Sequence, residues 1–233
     1  MSTKRQPQTD EHREVPAHAA GVVTIDLARI AANWRALADL VRPAECAAVV
    51  KADAYGLGAA RVIPVLAAAG CRTFFVATFD EAIIARGLAP SARILVLDGV
   101  LPGAEKAMRA AGVVPVLSSL AEAERWAQLS SSRDESLACA LHVDTGLNRL
   151  GLPAGEVRAL AANSHLLDRL DVLLVMSHLA CADDPQSLKN AQQRDVFEGL
   201  APLLPSAPRS LAASDGLMLG AAYHYDLVRP GYA

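Results

Sequence analysis

Val172-Leu173-Leu174-Val175-Met176, followed at once by Ser177-His178, is apolar at five consecutive positions and then turns polar. A strand with one wet face alternates apolar and polar residues. One that is apolar throughout is covered on both faces, as in parallel sheets flanked by helices. Phe74-Phe75-Val76-Ala77 and Ile94-Leu95-Val96-Leu97 repeat the pattern. Working outward, apolar β-rich runs fall at about residues 46–50, 73–78, 93–98, 113–118, 137–144, 170–177, 209–213 and 226–229. Amphipathic stretches such as 80–86, 104–111, 120–129 and 155–162 lie between the first seven, and 216–225 leaves room only for a short helix. Each strand-plus-helix unit is long enough for a crossover connection. Eight runs are the count for a closed (β/α)8 barrel of the TIM type. A doubly wound open sheet accepts the same pattern, but no strand-linked G-x-G-x-x-G is present.

The chain has 233 residues, 52% of them apolar, which is enough to bury a full core. Residues 1–20 are polar and Pro-punctuated and read as a disordered lead-in, with the barrel over 21–233. Val22-Val23-Thr24-Ile25 reads as a short strand, and Asp26 as the cap of a helix bearing Leu27, Ile30, Trp34 and Leu37. A net charge of −3 without a basic stripe argues against a nucleic-acid partner. No apolar run approaches membrane-spanning length, and the N-terminus has no apolar signal core. Cys46, Cys71, Cys139 and Cys181 are far apart and form no C-x-x-C pair, a pattern that suits reduced thiols in a cytoplasm and no metal site.

A barrel places its working residues at the C-terminal ends of the strands. Those positions carry Lys51, Thr78, Asp98, Ser118, Asp144, His178, Ser214 and Arg229. Lys51 ends Ala47-Ala48-Val49-Val50 and precedes Ala52-Asp53-Ala54-Tyr55-Gly56-Leu57-Gly58. It reads as a solvated loop lysine or as an amine able to form an imine with a carbonyl cofactor. The other lysines, Lys4, Lys106 and Lys189, fall in a polar tail or in solvated helical surroundings. Ser214 reads as a helix N-cap or as part of a phosphate site. His178 reads as a satisfied core histidine or a site residue, and Asp144 as a turn-closing carboxylate or as part of a loop that aims Arg149. Arg229, with no acid beside it in sequence, needs an anion or an acceptor.

Several stretches together resemble bacterial alanine racemase, a pyridoxal-phosphate (PLP) enzyme with a fold type III barrel. They are Val50-Lys51-Ala52-Asp53-Ala54-Tyr55-Gly56, Phe75-Val76-Ala77 with Glu81-Ala82, Ile94-Leu95-Val96-Leu97-Asp98-Gly99, Val143-Asp144-Thr145-Gly146 with Asn148-Arg149-Leu150-Gly151, Ser177-His178, and Asp226-Leu227-Val228-Arg229-Pro230-Gly231. The resemblance runs from about residue 22 to the end and implies interconversion of L- and D-alanine, which supplies D-alanine for cell-wall peptidoglycan. It implies that Lys51 binds PLP as an imine and serves as the base on the D-face, and that Tyr55, Ser214, Gly231 and Tyr232 surround the phosphate. It further implies that Arg229, supported by His178, faces the pyridine nitrogen, and that Arg149 meets the phenolic oxygen and the substrate carboxylate. His142 stands where the family often carries a lysine modified as a carbamate, and Leu57 where a histidine is common. The family is a homodimer and continues into a β-rich C-terminal domain that gives the partner subunit a tyrosine as second base. The sequence stops after the eighth strand run, so the resemblance implies a barrel without its eighth helix or that domain, with racemisation impaired. The other reading is a non-catalytic PLP-binding barrel of the PLP-homeostasis type.

Overall fold

Neighbouring residues on a strand face opposite sides, yet Phe74 and Phe75 are both fully buried, in two different apolar clusters. Phe74, Ile94, Leu117, Leu141 and Val175 pack outward against helices. Phe75, Leu95, Val116, Ala140 and Leu174 pack inward on one another. The inner cluster mixes alanines with bulky side chains, which lets the sheet curl tightly around it. The computed structural model describes residues 18–130 and 135–232. Residues 1–17, most of the lead-in read as disordered, lie outside the described residues.

The strands are all parallel. β1 (Glu45–Cys46) and β2 (Ala48–Val49) are two halves of one strand interrupted at Ala47. β3 (Thr73–Val76), β4 (Arg93–Val96), β5 (Val114–Leu117), β6 (Leu137–His142), β7 (Leu170–Met176) and β8 (Arg209–Ser210) follow β2 in spatial order. β9 (Leu227–Val228) pairs with β1. The ends of the sheet meet where the Asp226 N–H donates to Arg209 O (3.0 Å) and the Arg229 N–H to Ala212 O (2.9 Å), beside an Ala213–Arg229 bridge. The eight expected strand positions thus form a closed ring.

Helices cover the outside. α1 (Leu27–Leu40) precedes the ring, with Asp26 Oδ1 accepting the Arg29 N–H at 3.1 Å as the expected cap. The short turn α2 (Lys51–Tyr55) and α3 (Ala59–Ala69) follow β2. α4 (Phe79–Leu88), α5 (Glu105–Ala110) and α6 (Leu120–Ala127) follow β3, β4 and β5. α7 (Ala154–Ala162) and α8 (Ser164–Leu167) follow β6, α9 (Leu188–Leu200) follows β7, and α10 (Ser214–Met218) follows β8. α4 begins with a full capping box between Thr78 and Glu81.

One expected element is absent. Val22-Val23-Thr24-Ile25 forms no strand, and Val23 is 85% exposed. β propensity needs a free sheet edge to pair with, and the closed ring offers this segment none.

Candidate active site

A cavity of about 460 Å³ opens at the C-terminal ends of the strands. Val49, Ala77, Leu97 and Met176 supply apolar wall, while Lys51, Tyr55, His142, Arg149, His178, Ser214, Arg229, Gly231 and Tyr232 all reach it. Of the other strand-end residues, Asp98 lines the cavity. Thr78, Ser118 and Asp144 serve the loops instead. Thr78 caps α4, Ser118 donates its N–H to Glu122, and Asp144 Oδ1 accepts the N–H groups of Gly146 (2.9 Å) and Asn148 (3.1 Å).

Lys51 follows β2 directly, where the Val50 N–H is still held by Phe75 O at 2.8 Å. The chain then makes a left-handed turn. Ala52, Asp53, Ala54 and Tyr55 have φ between 52 and 55°, and Gly56 continues at 83°. For L-residues this conformation costs roughly 1–2 kcal/mol each. The turn brings the Tyr55 hydroxyl against Gly231, so closely that a Cβ there would strike the phenol. Tyr55 meets Tyr232 edge-on, with ring centroids 6.5 Å apart.

Ser214 is buried and opens α10, but its side chain caps nothing in that helix. Its Oγ instead accepts the N–H groups of Gly231 (3.0 Å) and Tyr232 (3.3 Å). The backbone after β9 and the mouth of β8 therefore converge on one hydroxyl. Tyr232 itself is 66% exposed, with its hydroxyl bonded to Asp215.

Arg229 is only 3% exposed. Its guanidinium donates to Ser210 Oγ, to Ser177 O (2.6 Å) and to Leu211 O (3.3 Å), and it lies 5.9 Å from the centre of the Phe75 ring. Burial lowers its pKa to about 9, which leaves it protonated at neutral pH. Its needs are met by neutral oxygens, and among the described residues no carboxylate forms an ion pair with it.

Two imidazoles lie within reach of these cations. Burial first, and then Arg229, pull His178 down to about 3 from the ordinary 6.5. The same two causes pull His142 down to about 4. Both rings are neutral at pH 7. The cavity thus faces three basic side chains, Lys51, Arg149 and Arg229, two uncharged histidines, and three carboxylates, Asp98, Asp183 and Asp215, of which Asp215 is bonded to the Tyr232 hydroxyl.

Arg149 is exposed at the rim, on a loop bound to Asp144 and closed by Gly151, where a Cβ would lie 2.7 Å from the Asp144 nitrogen. The turn-closing reading of Asp144 is what the loop shows, and it also fixes the backbone that carries Arg149. Sequence reasoning missed Gln193. Fully buried on α9, it donates to Thr145 Oγ1 (3.2 Å) and His178 O (3.0 Å) and accepts the Ala180 N–H (2.8 Å), joining the loops after β6 and β7. A polar residue on the buried face of an amphipathic helix was its only sequence signal. Lys189 is half-buried on α9, with its amine close to Gly146 on the same loop. Among the described residues no cluster of three or more His, Cys, Asp or Glu is placed to hold a metal, and no helix is long and apolar enough to cross a membrane.

Residues 25–233 match the family model described as alanine racemase, N-terminal domain. An alanine racemase of Acidiphilium cryptum is 52% identical over 211 residues, covering 91% of this chain and 58% of the relative. One from Brucella ovis is 45% identical over 228 residues, covering 97% of this chain and 57% of the relative. The crystal structure of alanine racemase from Bartonella henselae with covalently bound pyridoxal phosphate superposes with a TM-score of 0.87 at 39% identity, over 90% of this chain and 61% of that one. The chain spans 57–58% of the length of these curated relatives.

Proposed function

The chain belongs to the alanine racemase family through its N-terminal domain, and on that premise we propose that its barrel, residues 21–233, binds PLP through Lys51 and serves the interconversion of L- and D-alanine. One observation carries the reading: Lys51, the buried Arg229 and the group formed by Ser214, Gly231 and Tyr232 all open onto the same cavity. The residues fit a phosphorylated pyridine aldehyde. Lys51 offers the amine, and the Ser214 hydroxyl, which accepts the N–H groups of Gly231 and Tyr232, keeps its own hydrogen to donate to a phosphate beside Tyr55. Lys51, Arg149 and the buried Arg229 offer separate cationic partners for phosphate, phenolate and carboxylate.

Bound PLP would supply an electron sink for the α-carbon of an amino acid. Around it each residue has a distinct task. Lys51 Nζ, freed when the amino acid's own amine displaces it from the aldehyde carbon, would take and return the α-proton on the D-face. Arg229, held by Ser210, Ser177 and Leu211, would face the ring nitrogen with fixed positive charge and disfavour its protonation, supported by the neutral His178. Such an arrangement favours simple proton return over transamination. Arg149, exposed at the rim, would meet the phenolic oxygen and the substrate carboxylate. A role in supplying D-alanine for peptidoglycan, a homodimer and a cytoplasmic site belong to the same proposal. The buried free thiols Cys46 and Cys71, pushed up to about 12 by burial, support a reducing compartment.

The test uses the purified chain with PLP in D2O. Borohydride reduction followed by peptide mass analysis is expected to place the label on Lys51, and NMR to show Lys51-dependent exchange of the D-alanine α-hydrogen. Both signals should vanish in Lys51→Ala. An unlabelled Lys51 in wild type overturns the cofactor assignment. A labelled Lys51 without α-hydrogen exchange overturns alanine as the substrate and leaves a PLP-binding barrel.

A further inference from the structure

Residues 52–55 make a turn of left-handed helix without a single glycine. L-residues leave that region unless surrounding bonds outweigh the steric cost. Two carboxylates provide such bonds. Glu81 reaches across from α4 and accepts the Ala52 N–H at 2.7 Å through one oxygen and the Ala77 N–H at 2.7 Å through the other. Asp53 accepts the Ala59 N–H at 2.6 Å, which ties the turn's exit to the start of α3. The Ala52 nitrogen belongs to the peptide that follows Lys51. Glu81 therefore fixes the plane from which Lys51 hangs against the chain leaving β3.

We propose that Glu81 is a positioning residue for Lys51: its double hold on Ala52 and Ala77 keeps the left-handed turn formed and aims the Lys51 amine into the cavity. This rests on the reading of Lys51 as the residue that takes the cofactor. The chemistry calls for a carboxylate, because both of its oxygens accept from backbone N–H groups. A glutamine of the same shape would accept one of the two and present its own N–H₂ to the other.

Glu81→Gln is therefore the informative substitution, with Thr78→Ala as its control. Thr78 Oγ1 accepts the Glu81 N–H in the cap of α4, so Thr78→Ala weakens the same helix end while leaving the Ala52 bond in place. Two readouts are needed: amide hydrogen exchange over residues 50–57 without cofactor, and the rate at which PLP with borohydride labels Lys51. Glu81→Gln is expected to raise the first and slow the second by about tenfold or more, the scale of one lost charge-assisted hydrogen bond. Thr78→Ala should raise exchange only at the start of α4 and label at the wild-type rate. Wild-type behaviour of Glu81→Gln in both readouts overturns the proposal, as does equal slowing of labelling in Thr78→Ala. If wild-type Lys51 takes no label, the cofactor reading fails, and the exchange data alone decide whether Glu81 holds the turn. Should Glu81→Gln not fold, Glu81→Asp, too short to reach both amides, is read in the same two ways.

Discussion

A guanidinium sealed inside a protein must find oxygens for its N–H groups or give up its charge, and Arg229 finds Ser210 Oγ, Ser177 O and Leu211 O. The fork is shaped for several acceptors at once, which an ammonium cannot reproduce. Arg229→Lys is expected to lower stability by about 2–3 kcal/mol in urea unfolding, because at least one buried carbonyl or hydroxyl loses its donor. The need for a partner was legible in the sequence, where no acid neighbours Arg229. The partners were not, because two are backbone carbonyls and Ser177 lies 52 residues away. Ser214 shows the same limit. Its position suggested a helix cap as readily as a phosphate ligand, and in the structure its Oγ accepts the N–H groups of Gly231 and Tyr232 instead of capping α10.

At the scale of elements, the strands and most helices were legible because their apolar periodicity is set by two buried faces. The turn after Lys51 was not. Ala, Asp, Ala and Tyr carry no signal for positive φ, yet the left-handed stretch begins four residues before Gly56, the first residue there that favours it. The loop bearing Arg149 carries a clearer signal in Gly151, whose φ of 115° and contact with the Asp144 backbone both exclude a side chain. Gly151→Ala should cost about 3 kcal/mol or more, since the clash is with backbone that cannot turn aside. Denaturant titration measures that cost. Loss of D-alanine α-hydrogen exchange at temperatures where the barrel remains folded would show Arg149 displaced with the loop.

For the whole molecule, ring closure is uneven. β6 and β7 pair over most of their length, whereas β1, β8 and β9 have two residues each. Amides in β8 and β9 are expected to exchange at least about tenfold faster than those in β6 and β7, by hydrogen-exchange mass spectrometry. Acid should test the fold through its histidines. His142 and His178 have folded pKa values of about 4 and about 3, below the ordinary 6.5 that the unfolded chain regains. Between those values the unfolded chain binds more protons, so their contribution is complete above pH 6.5 and is lost as pH falls. The slope is about 1.4 kcal/mol per pH unit for each histidine. Urea midpoints at pH 7, 6 and 5 should fall accordingly, and His142→Gln, which cannot titrate, should remove roughly half of the decline between pH 6.5 and 5. An unchanged slope in that variant would show that His142 is not held neutral.

The sequence by itself determined the parallel eight-stranded ring, the end of it that carries chemistry and the lysine at its mouth, because burial on two faces and strand-end position are properties of local order. Tertiary structure alone decided the left-handed turn, the grip of Glu81 on it, the three oxygens around Arg229 and the neutral state of His142 and His178. Each of those depends on groups far apart in the chain that meet only when the barrel closes.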